Sequence, residues 1–198
     1  MKALILVDIQ NDFIDGGALA VSDGSSVVKV ANRVMSRFDF VVATQDWHPP
    51  EHGSFASQHA GVQVGDKFKL AGLQQIAWPD HCVQNTTGAD FVPSLNQDGV
   101  HEVVRKGTDP TIDSYSGFFD NGHRKSTGLE QLLRSRNVAQ VSVMGLATDY
   151  CVKYTVLDAI SLGFETELIV AGCRGVNLDA TDVEQAIHQM KEAGAGLV

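Results

Sequence analysis

The amino-acid sequence predicts an α/β fold in which a mostly parallel β-sheet lies between two layers of α-helices. Three observations lead to this prediction. Short apolar runs, of the kind that form strands covered on both faces, recur along the 198 residues. Segments with apolar residues at helical spacing lie between these runs. Strand and helix alternate through most of the chain, which is typical of a parallel sheet with helices on both faces.

The first predicted elements are a strand, a helix and a second strand. Residues 3–7 form an apolar run that stops at Asp8, and residues 40–43 form another. Between them, residues 25–38 carry apolar side chains at helical spacing. This order predicts a strand–helix–strand unit at the start of the fold.

The alternation continues in the second half of the chain. Thr127 and Glu130 stand at capping-box spacing and predict the start of a helix that carries three leucines. The remaining predicted elements are strands at residues 101–105, 141–144 and 167–171 and helices at residues 129–133, 152–160 and 183–190.

Residues 44–99 interrupt this alternation. They show little periodicity and are rich in Gly, Pro, His and Asn. A connection of this length inside a compact domain is usually functional. Because no repeat, charge block or linker accompanies it, we expect a single domain over residues 1–198 with a functional, metal-bearing insertion at 44–99.

Composition and charge limit the possible function classes. With 43% hydrophobic and 20% charged residues, the chain has the composition of a globular protein. A formal net charge of −9 does not suit binding to a phosphate backbone. Three cysteines do not make a disulfide framework, and no apolar stretch is long enough for a secretory leader or a membrane span. We expect a cytoplasmic protein with a small-molecule substrate and no nucleic-acid or membrane partner.

Three strand ends carry residues that suit nucleophilic catalysis. Asp8 ends the first strand, where a carboxylate can act as a base. Lys106 follows the third strand and can stabilise a developing anion or a thiolate. Cys151 follows the fourth strand, and Thr148 as an N-cap places it in a first helical turn, where free N–H groups lower a thiol pKa. An acid, a cation and a thiol at one sheet edge predict a cysteine nucleophile activated by a base.

Asp46 and His48 follow the second strand and predict a metal site. Residues two apart in an extended chain point to the same side, so both side chains can reach one ion. A third ligand is expected from His52, His59 or His81, and the spacing does not choose among them. A carboxylate with imidazoles suits a divalent ion such as Zn, Fe or Mn.

Three aromatic residues lie near these segments, namely Phe13, Trp78 and Tyr115. Aromatic walls suit a flat heteroaromatic ligand. For any one of the three taken alone, ordinary core packing is the better interpretation.

Several segments together resemble a known family, and they run from Ala3 to Gly175 or beyond. The segments are residues 7–13 (VDIQNDF), 44–49 (TQDWHP), 78–84 (WPDHCVQ), 106–107 (KG), 115–118 (YSGF), 145–152 (GLATDYCV) and 173–176 (CRGV). The chain resembles the nicotinamidase family of the isochorismatase-like cysteine hydrolases. The WPDHCV segment together with DWH is the more specific part of this resemblance.

The resemblance implies a three-layer α-β-α fold with a six-stranded, mostly parallel sheet. It implies Asp8, Lys106 and Cys151 as the catalytic triad of a metal-dependent cysteine amidohydrolase. It further implies an oxyanion hole made by the amides of Ala147 and Cys151, with a cis peptide bond between Leu146 and Ala147.

The resemblance also assigns a metal site and a substrate pocket. The implied ligands of one divalent ion, Zn or Fe before Mn, are Asp46, His48 and His81. The pyridine nitrogen of the substrate would bind this ion and so orient the carboxamide toward the sulfur. The implied ring-binding residues are Phe13 and Trp78, on either side of the ring, and Tyr115, which lines the pocket.

The implied activity is hydrolysis of nicotinamide to nicotinate and ammonia, a step of NAD salvage, with pyrazinamide as a further substrate. Asn85 stands where members of the family usually carry glycine, and no implied role falls on it. The alternatives are another amidohydrolase or an isochorismatase of the same superfamily, a binding protein that kept the fold, and a redox-sensing thiol protein. A homo-oligomer is compatible with the resemblance, since the oligomeric state varies among family members.

Overall fold

The fold is built on one six-stranded sheet, in a computed structural model that describes residues 1–198. The strands are β1 Lys2–Val7, β2 Phe40–Asp46, β3 Lys67–Leu70, β4 Leu73–Ile76, β5 Glu102–Lys106, β6 Gln140–Leu146, β7 Glu165–Arg174 and β8 Gly196–Leu197. The helices are α1 Ser26–Val34, α2 Leu129–Ser135, α3 Lys153–Ser161 and α4 Asp182–Glu192. None of the helices has the length and apolar character needed to cross a membrane.

All neighbouring strands of the main sheet are parallel, in the order β5-β2-β1-β6-β7-β8. The chain moves outward from β1 to β2 and β5, returns to β6, and then moves outward in the opposite direction. Because such crossovers are right-handed, α1 packs on one face of the sheet and α3 and α4 pack on the other. The predicted α/β fold class and the six-stranded parallel sheet are therefore confirmed.

The position of β1 explains its sequence. This strand lies between β2 and β6, and residues 3–7 are 0% exposed. A strand covered by helices on both faces needs an uninterrupted apolar sequence, because neither side reaches water. The apolar run that predicts the strand is thus a direct consequence of its central place in the sheet.

The predicted elements differ from the observed ones mainly at their ends. The helix expected over residues 25–38 is α1 followed by a 3-10 turn, Met35–Arg37. The strand expected at 167–171 is the longer β7. Gly128, not Thr127, directly precedes α2, and the Thr127 hydroxyl accepts a hydrogen bond from the Leu129 N–H at 3.2 Å.

Residues 44–99 contain structure that the sequence pattern does not reveal. Strands β3 and β4 form an antiparallel hairpin apart from the main sheet. Their sequences, KFKL and LQQI, are too short and too polar to stand out as strands. The two-residue β8 is missed for the same reason of length.

The parallel order brings the candidate residues to one edge of the sheet. Asp46 and Lys106 are the last residues of β2 and β5, and Asp8 and Ala147 come directly after β1 and β6. The carboxyl ends of neighbouring parallel strands lie side by side, which is where α/β folds place their sites.

Candidate functional site

Lys106 connects the other two residues that are predicted to carry the chemistry. Its ammonium nitrogen Nζ lies 2.9 Å from Asp8 Oδ2 and 3.4 Å from Cys151 Sγ. The side chains of Lys106 and Asp8 are 0% exposed. The same Nζ donates to Asp46 Oδ1 at 2.6 Å and to the Ser114 carbonyl at 2.9 Å. The predicted acid, cation and thiol are therefore in contact, and the cation also reaches a predicted metal ligand.

Asp8 lies close enough to Cys151 to exchange a proton with it, since a carboxylate oxygen of Asp8 and the Cys151 sulfur lie within 4.8 Å of each other. Its Oδ1 accepts a hydrogen bond from the Thr44 hydroxyl at 2.6 Å, whereas its Oδ2 accepts no well-aligned hydrogen bond beside the ion pair with Lys106. Burial raises the pKa of Asp8 to about 6, against the opposing effect of the Lys106 ammonium. A carboxyl with this pKa can take up and release a proton near neutral pH.

Cys151 lies in a π-helical turn, Thr148–Val152, that links β6 to α3. The expectation that Thr148 caps this helix is wrong: Ala147 precedes the turn, and the Thr148 hydroxyl is buried without a hydrogen-bond partner. Burial raises the pKa of the Cys151 thiol well above its usual value, although Lys106 acts in the opposite direction. The lowering of the thiol pKa expected from a helix terminus is therefore outweighed by burial, and the thiol needs a base, as the sequence predicts.

Ala147 offers a free N–H group beside the sulfur. The Leu146–Ala147 peptide bond is cis, in agreement with the resemblance. The Ala147 carbonyl accepts hydrogen bonds from the N–H groups of Tyr150 and Val152, at 3.2 and 3.1 Å, but its own N–H donates none. A backbone donor without an acceptor at the rim of a pocket is available to a ligand oxygen.

Asp46, His48 and His81 are buried, and one potential ligand atom from each lies within 4.8 Å of the others. His48 Nδ1 pairs with the Gly107 carbonyl and His81 Nδ1 with the Pro79 carbonyl, both at 2.8 Å. The other ring nitrogen of each histidine, Nε2, is directed at Asp46 Oδ2, at 3.6 Å for His48 and 4.0 Å for His81. A Cβ at position 107 would lie 2.4 Å from the His48 ring, so glycine is required there. Oriented imidazoles facing one carboxylate oxygen fit a divalent ion.

The structure shows which of the three histidines, left open by the sequence spacing, lies with Asp46 and His48. His81 faces Asp46 together with His48. The His52 ring lies 4.2 Å from the His48 ring and belongs to a different group with Asp113. His59 is in neither group, since its Nε2 pairs with a backbone carbonyl at 2.7 Å. Burial lowers the pKa of His81 to about 4, which keeps its ring neutral and its lone pair free.

Gln10 is a functional residue that sequence reasoning missed. It is 0% exposed and lies on the segment between β1 and the first 3-10 turn. Its amide Nε2 donates to the Asp46 carbonyl and its Oε1 accepts from the Asp46 N–H, both at 2.8 Å. Nε2 also donates to the Ala89 carbonyl at 2.9 Å. Gln10 thus fixes the backbone of the carboxylate that faces the two histidines.

Cys151 helps to line a pocket at this edge of the sheet. Its lining contains the three predicted aromatic residues and other predicted site residues, namely Phe13, Trp78, Tyr115, Asp46, His81, Ala147 and Cys151. The lining residues that were not predicted are Leu19, Asp113, Tyr150 and Val176. The indole N–H of Trp78 donates to Tyr115 Oη at 3.1 Å, and the Tyr150 ring packs edge-on against Trp78 with centroids 4.9 Å apart. Tyr150 could have been predicted as a pocket residue because it is the aromatic residue directly before Cys151. Nothing in the sequence marks Leu19 or Val176 as pocket residues.

Asn85, which departs from the family pattern, adopts a left-handed backbone conformation with φ of 63°. Glycine is the usual residue in this conformation, and asparagine is among the side chains that tolerate it best. The substitution is therefore compatible with the same loop geometry after His81.

Comparison with known proteins agrees with this geometry. The family model described as the isochorismatase domain matches residues 2–198. The nicotinamidase of Escherichia coli (strain K12) is 54% identical over 200 residues, which cover 99% of this chain and 93% of that protein. A nicotinamidase/pyrazinamidase structure from Acinetobacter baumanii is 42% identical with a TM-score of 0.96, covering 100% of this chain and 95% of that one. A pyrazinamidase structure from Pyrococcus horikoshii, in complex with zinc, is 38% identical with a TM-score of 0.81, covering 100% and 98%.

Proposed function

The chain belongs to the isochorismatase family, and on that premise we propose that Asp8, Lys106 and Cys151 are its catalytic residues. The protein is an amide hydrolase that converts nicotinamide to nicotinate and ammonia, a reaction of NAD salvage. The observation that carries the assignment of residues is the contact of one buried ammonium, Lys106 Nζ, with both the Asp8 carboxylate and the Cys151 sulfur.

The first half of the reaction forms a thioester. Asp8 takes the proton from Cys151, and the sulfur attacks the amide carbon, so that a C–S bond forms and the carbonyl electron pair moves to oxygen. The N–H groups of Ala147 and Cys151 donate to this oxyanion. The C–N bond then breaks as the carbonyl re-forms, and Asp8 returns the proton to the leaving ammonia.

The second half of the reaction hydrolyses the thioester. Asp8 takes a proton from water, whose oxygen attacks the acyl carbon, and the same N–H groups hold the second oxyanion. The C–S bond breaks, the sulfur recovers its proton from Asp8, and the product leaves as nicotinic acid, which gives its carboxyl proton to water and becomes nicotinate. One proton-exchanging carboxyl therefore serves both halves, which is consistent with the pKa of about 6 that burial gives to Asp8.

Lys106 holds the anionic states of the site. In the resting enzyme its charge is compensated by Asp8 and Asp46, at 2.9 and 2.6 Å. When the proton moves from the sulfur to Asp8, the negative charge moves to Cys151, which is already within 3.4 Å of the same Nζ. The ammonium therefore stays paired throughout, and the buried site never holds an isolated charge.

Asp46, His48 and His81 are the residues that would hold a divalent ion. A bound ion supplies a Lewis acid that accepts the pyridine nitrogen as a ligand. One carboxylate and two imidazoles suit Zn, Fe and Mn. We propose zinc first, because the Pyrococcus horikoshii relative was solved with zinc.

Phe13, Trp78 and Tyr115 are proposed to bind the ring of the substrate. Phe13 and Trp78 contribute aromatic surface to the pocket that contains Cys151, and Tyr115 holds the Trp78 indole through its hydroxyl. A flat heteroaromatic ring fits between such surfaces. Pyrazinamide has the same shape and a ring nitrogen at the same position, and we therefore propose it as a second substrate.

An ammonia-release assay tests the proposed residues and the proposed ligand set. The expected result is rapid turnover of nicotinamide and pyrazinamide and very slow turnover of benzamide, which has no ring nitrogen. Treatment with a chelator is expected to reduce turnover of nicotinamide. Equal turnover of benzamide and nicotinamide would favour an amidohydrolase that does not use the ring nitrogen.

A further inference from the structure

Gln75 lies on strand β4 of the hairpin, outside the catalytic trio and outside the pocket lining. It is 4% exposed, whereas Gln74 beside it on the same strand is exposed. We infer that Gln75 is a positioning residue that fixes the aromatic wall of the substrate pocket and thereby its selectivity for the ring. This inference rests on the proposed function.

The Gln75 amide reaches two residues that line the pocket. Its Nε2 donates to Asp113 Oδ2 at 2.9 Å and to Tyr115 Oη at 3.0 Å. It also lies 3.0 Å from the carbonyl of Ile76, the next residue. Tyr115 Oη in turn accepts the Trp78 N–H at 3.1 Å. One amide therefore connects, directly or through one hydroxyl, Asp113, Tyr115 and Trp78.

The consequence of losing this amide follows from burial. Asp113 is 4% exposed, and its Oδ1 is already occupied by the Ser114 N–H at 2.7 Å. Without Gln75, Asp113 Oδ2 keeps no donor from the hairpin, and a buried carboxylate oxygen without a donor is unfavourable. The Tyr115 hydroxyl would keep only the hydrogen bond that it accepts from the Trp78 N–H. Both groups would move to find other partners, and the two aromatic rings would move with them.

In the proposed binding mode, the wall formed by Tyr115 and Trp78 contacts the ring of the substrate and not the reacting amide. Its contacts are therefore similar in the bound substrate and in the transition state. Contacts of this kind influence KM more than kcat. A wall that is free to move also excludes a larger ring less strictly, since discrimination between ring sizes depends on a pocket of fixed shape.

The test compares Gln75→Leu with Gln74→Leu, a matched control at the exposed neighbouring position. For Gln75→Leu we expect KM for nicotinamide to rise about tenfold or more, with a much smaller change in kcat. The preference for nicotinamide over 5-methylnicotinamide, as a ratio of kcat/KM values, should fall several-fold. Gln74→Leu should leave KM and this preference unchanged.

Tyr115→Phe provides a second variant that does not depend on the folding of Gln75→Leu. It should reproduce the rise in KM and the loss of preference, and the effects of the two substitutions should be less than additive, because both remove the hydrogen bond between Gln75 Nε2 and Tyr115 Oη. A Gln75→Leu enzyme with unchanged KM and preference would overturn the inference, and so would an equal loss of kcat on both substrates. Absence of turnover in the unmodified enzyme would instead contradict the proposed function.

Discussion

Gln10 pairs with Asp46 as a neighbouring strand would, through one hydrogen bond given to the backbone carbonyl and one accepted from the backbone N–H, both at 2.8 Å. The pairing comes at the end of β2, where Asp46 turns its carboxylate toward His48 and His81. A side chain thus replaces the strand hydrogen bonds at the point where the backbone holds Asp46, a proposed metal ligand. The groups that orient metal ligands commonly influence affinity as much as activity.

Gln10→Leu is therefore expected to weaken binding of a divalent ion. The loss should be on the order of 10- to 100-fold in the dissociation constant, because the Asp46 backbone loses both partners while its carboxylate remains. Competition with a chelating dye measures this constant directly. Gln45→Leu is the matched control, since Gln45 is also buried and also donates to the Ala89 carbonyl but does not touch the Asp46 backbone. Equal metal affinity in both variants would contradict the assigned role.

Cys151→Ala should abolish turnover of nicotinamide. Loss of the nucleophile removes the thioester route, and a decrease on the order of 10⁴-fold or more in kcat is expected. Cys173→Ala is the control, because Cys173 is equally free of disulfides and buried but lies at the end of β7 without contact to Lys106. Ammonia release at matched protein concentration measures both. Turnover by Cys151→Ala close to that of the control would exclude a covalent mechanism through this sulfur.

The sequence predicts the sheet better than the insertion, and the reason is physical. The central strands are buried on both faces, so β1 is visible in the sequence as an uninterrupted apolar run and β6 as an apolar run broken only by Ser142 and Gly145. The hairpin β3–β4 has four-residue strands, half exposed, and its pattern is set by what it packs against. Local spacing does not contain that information.

The candidate catalytic and metal-binding residues were predictable because each follows a predicted strand or belongs to a specific motif. Asp8 and Lys106 stand at strand ends and Cys151 in the turn after β6, and the parallel order brings these three chain segments to one edge of the sheet. Gln10 and Gln75 were not predictable in the same way. A buried glutamine acts through partners that are distant in the chain, 36 residues away for Gln10 and 38 or 40 for Gln75, and no spacing rule links them.

His81→Ala tests the choice among the three histidines. Removing one imidazole from a three-residue ligand set should lower the bound metal, measured by elemental analysis after dialysis, to a small fraction of one ion per chain. His59→Ala should retain the metal, because the His59 ring is occupied by a backbone carbonyl and lies apart from Asp46. Retention of metal by His81→Ala, or its loss from His59→Ala, would require a different ligand set.

The pH dependence of kcat/KM should report the carboxyl group of Asp8. Burial raises the pKa of this group to about 6, and the reaction requires its carboxylate form to accept the thiol proton. Activity is therefore expected to be constant above this pKa and to fall about tenfold per pH unit below it. We call this fall in kcat/KM at low pH the acid limb. The substitution Asp8→Asn should remove the activity and the acid limb with it.

Thr44→Val should move that acid limb to higher pH. The Thr44 hydroxyl donates to Asp8 Oδ1 at 2.6 Å, a hydrogen bond that stabilises the charged carboxylate and so lowers the pKa of Asp8. Its removal favours the protonated form, and more alkaline conditions are then needed to generate the base. Thr155→Val is a matched control, since Thr155 is a buried threonine whose hydroxyl accepts the Gly117 N–H and does not reach Asp8. Profiles of kcat/KM against pH for the three enzymes decide the matter: a Thr44→Val limb that coincides with the other two would show that Asp8 is not the group that titrates.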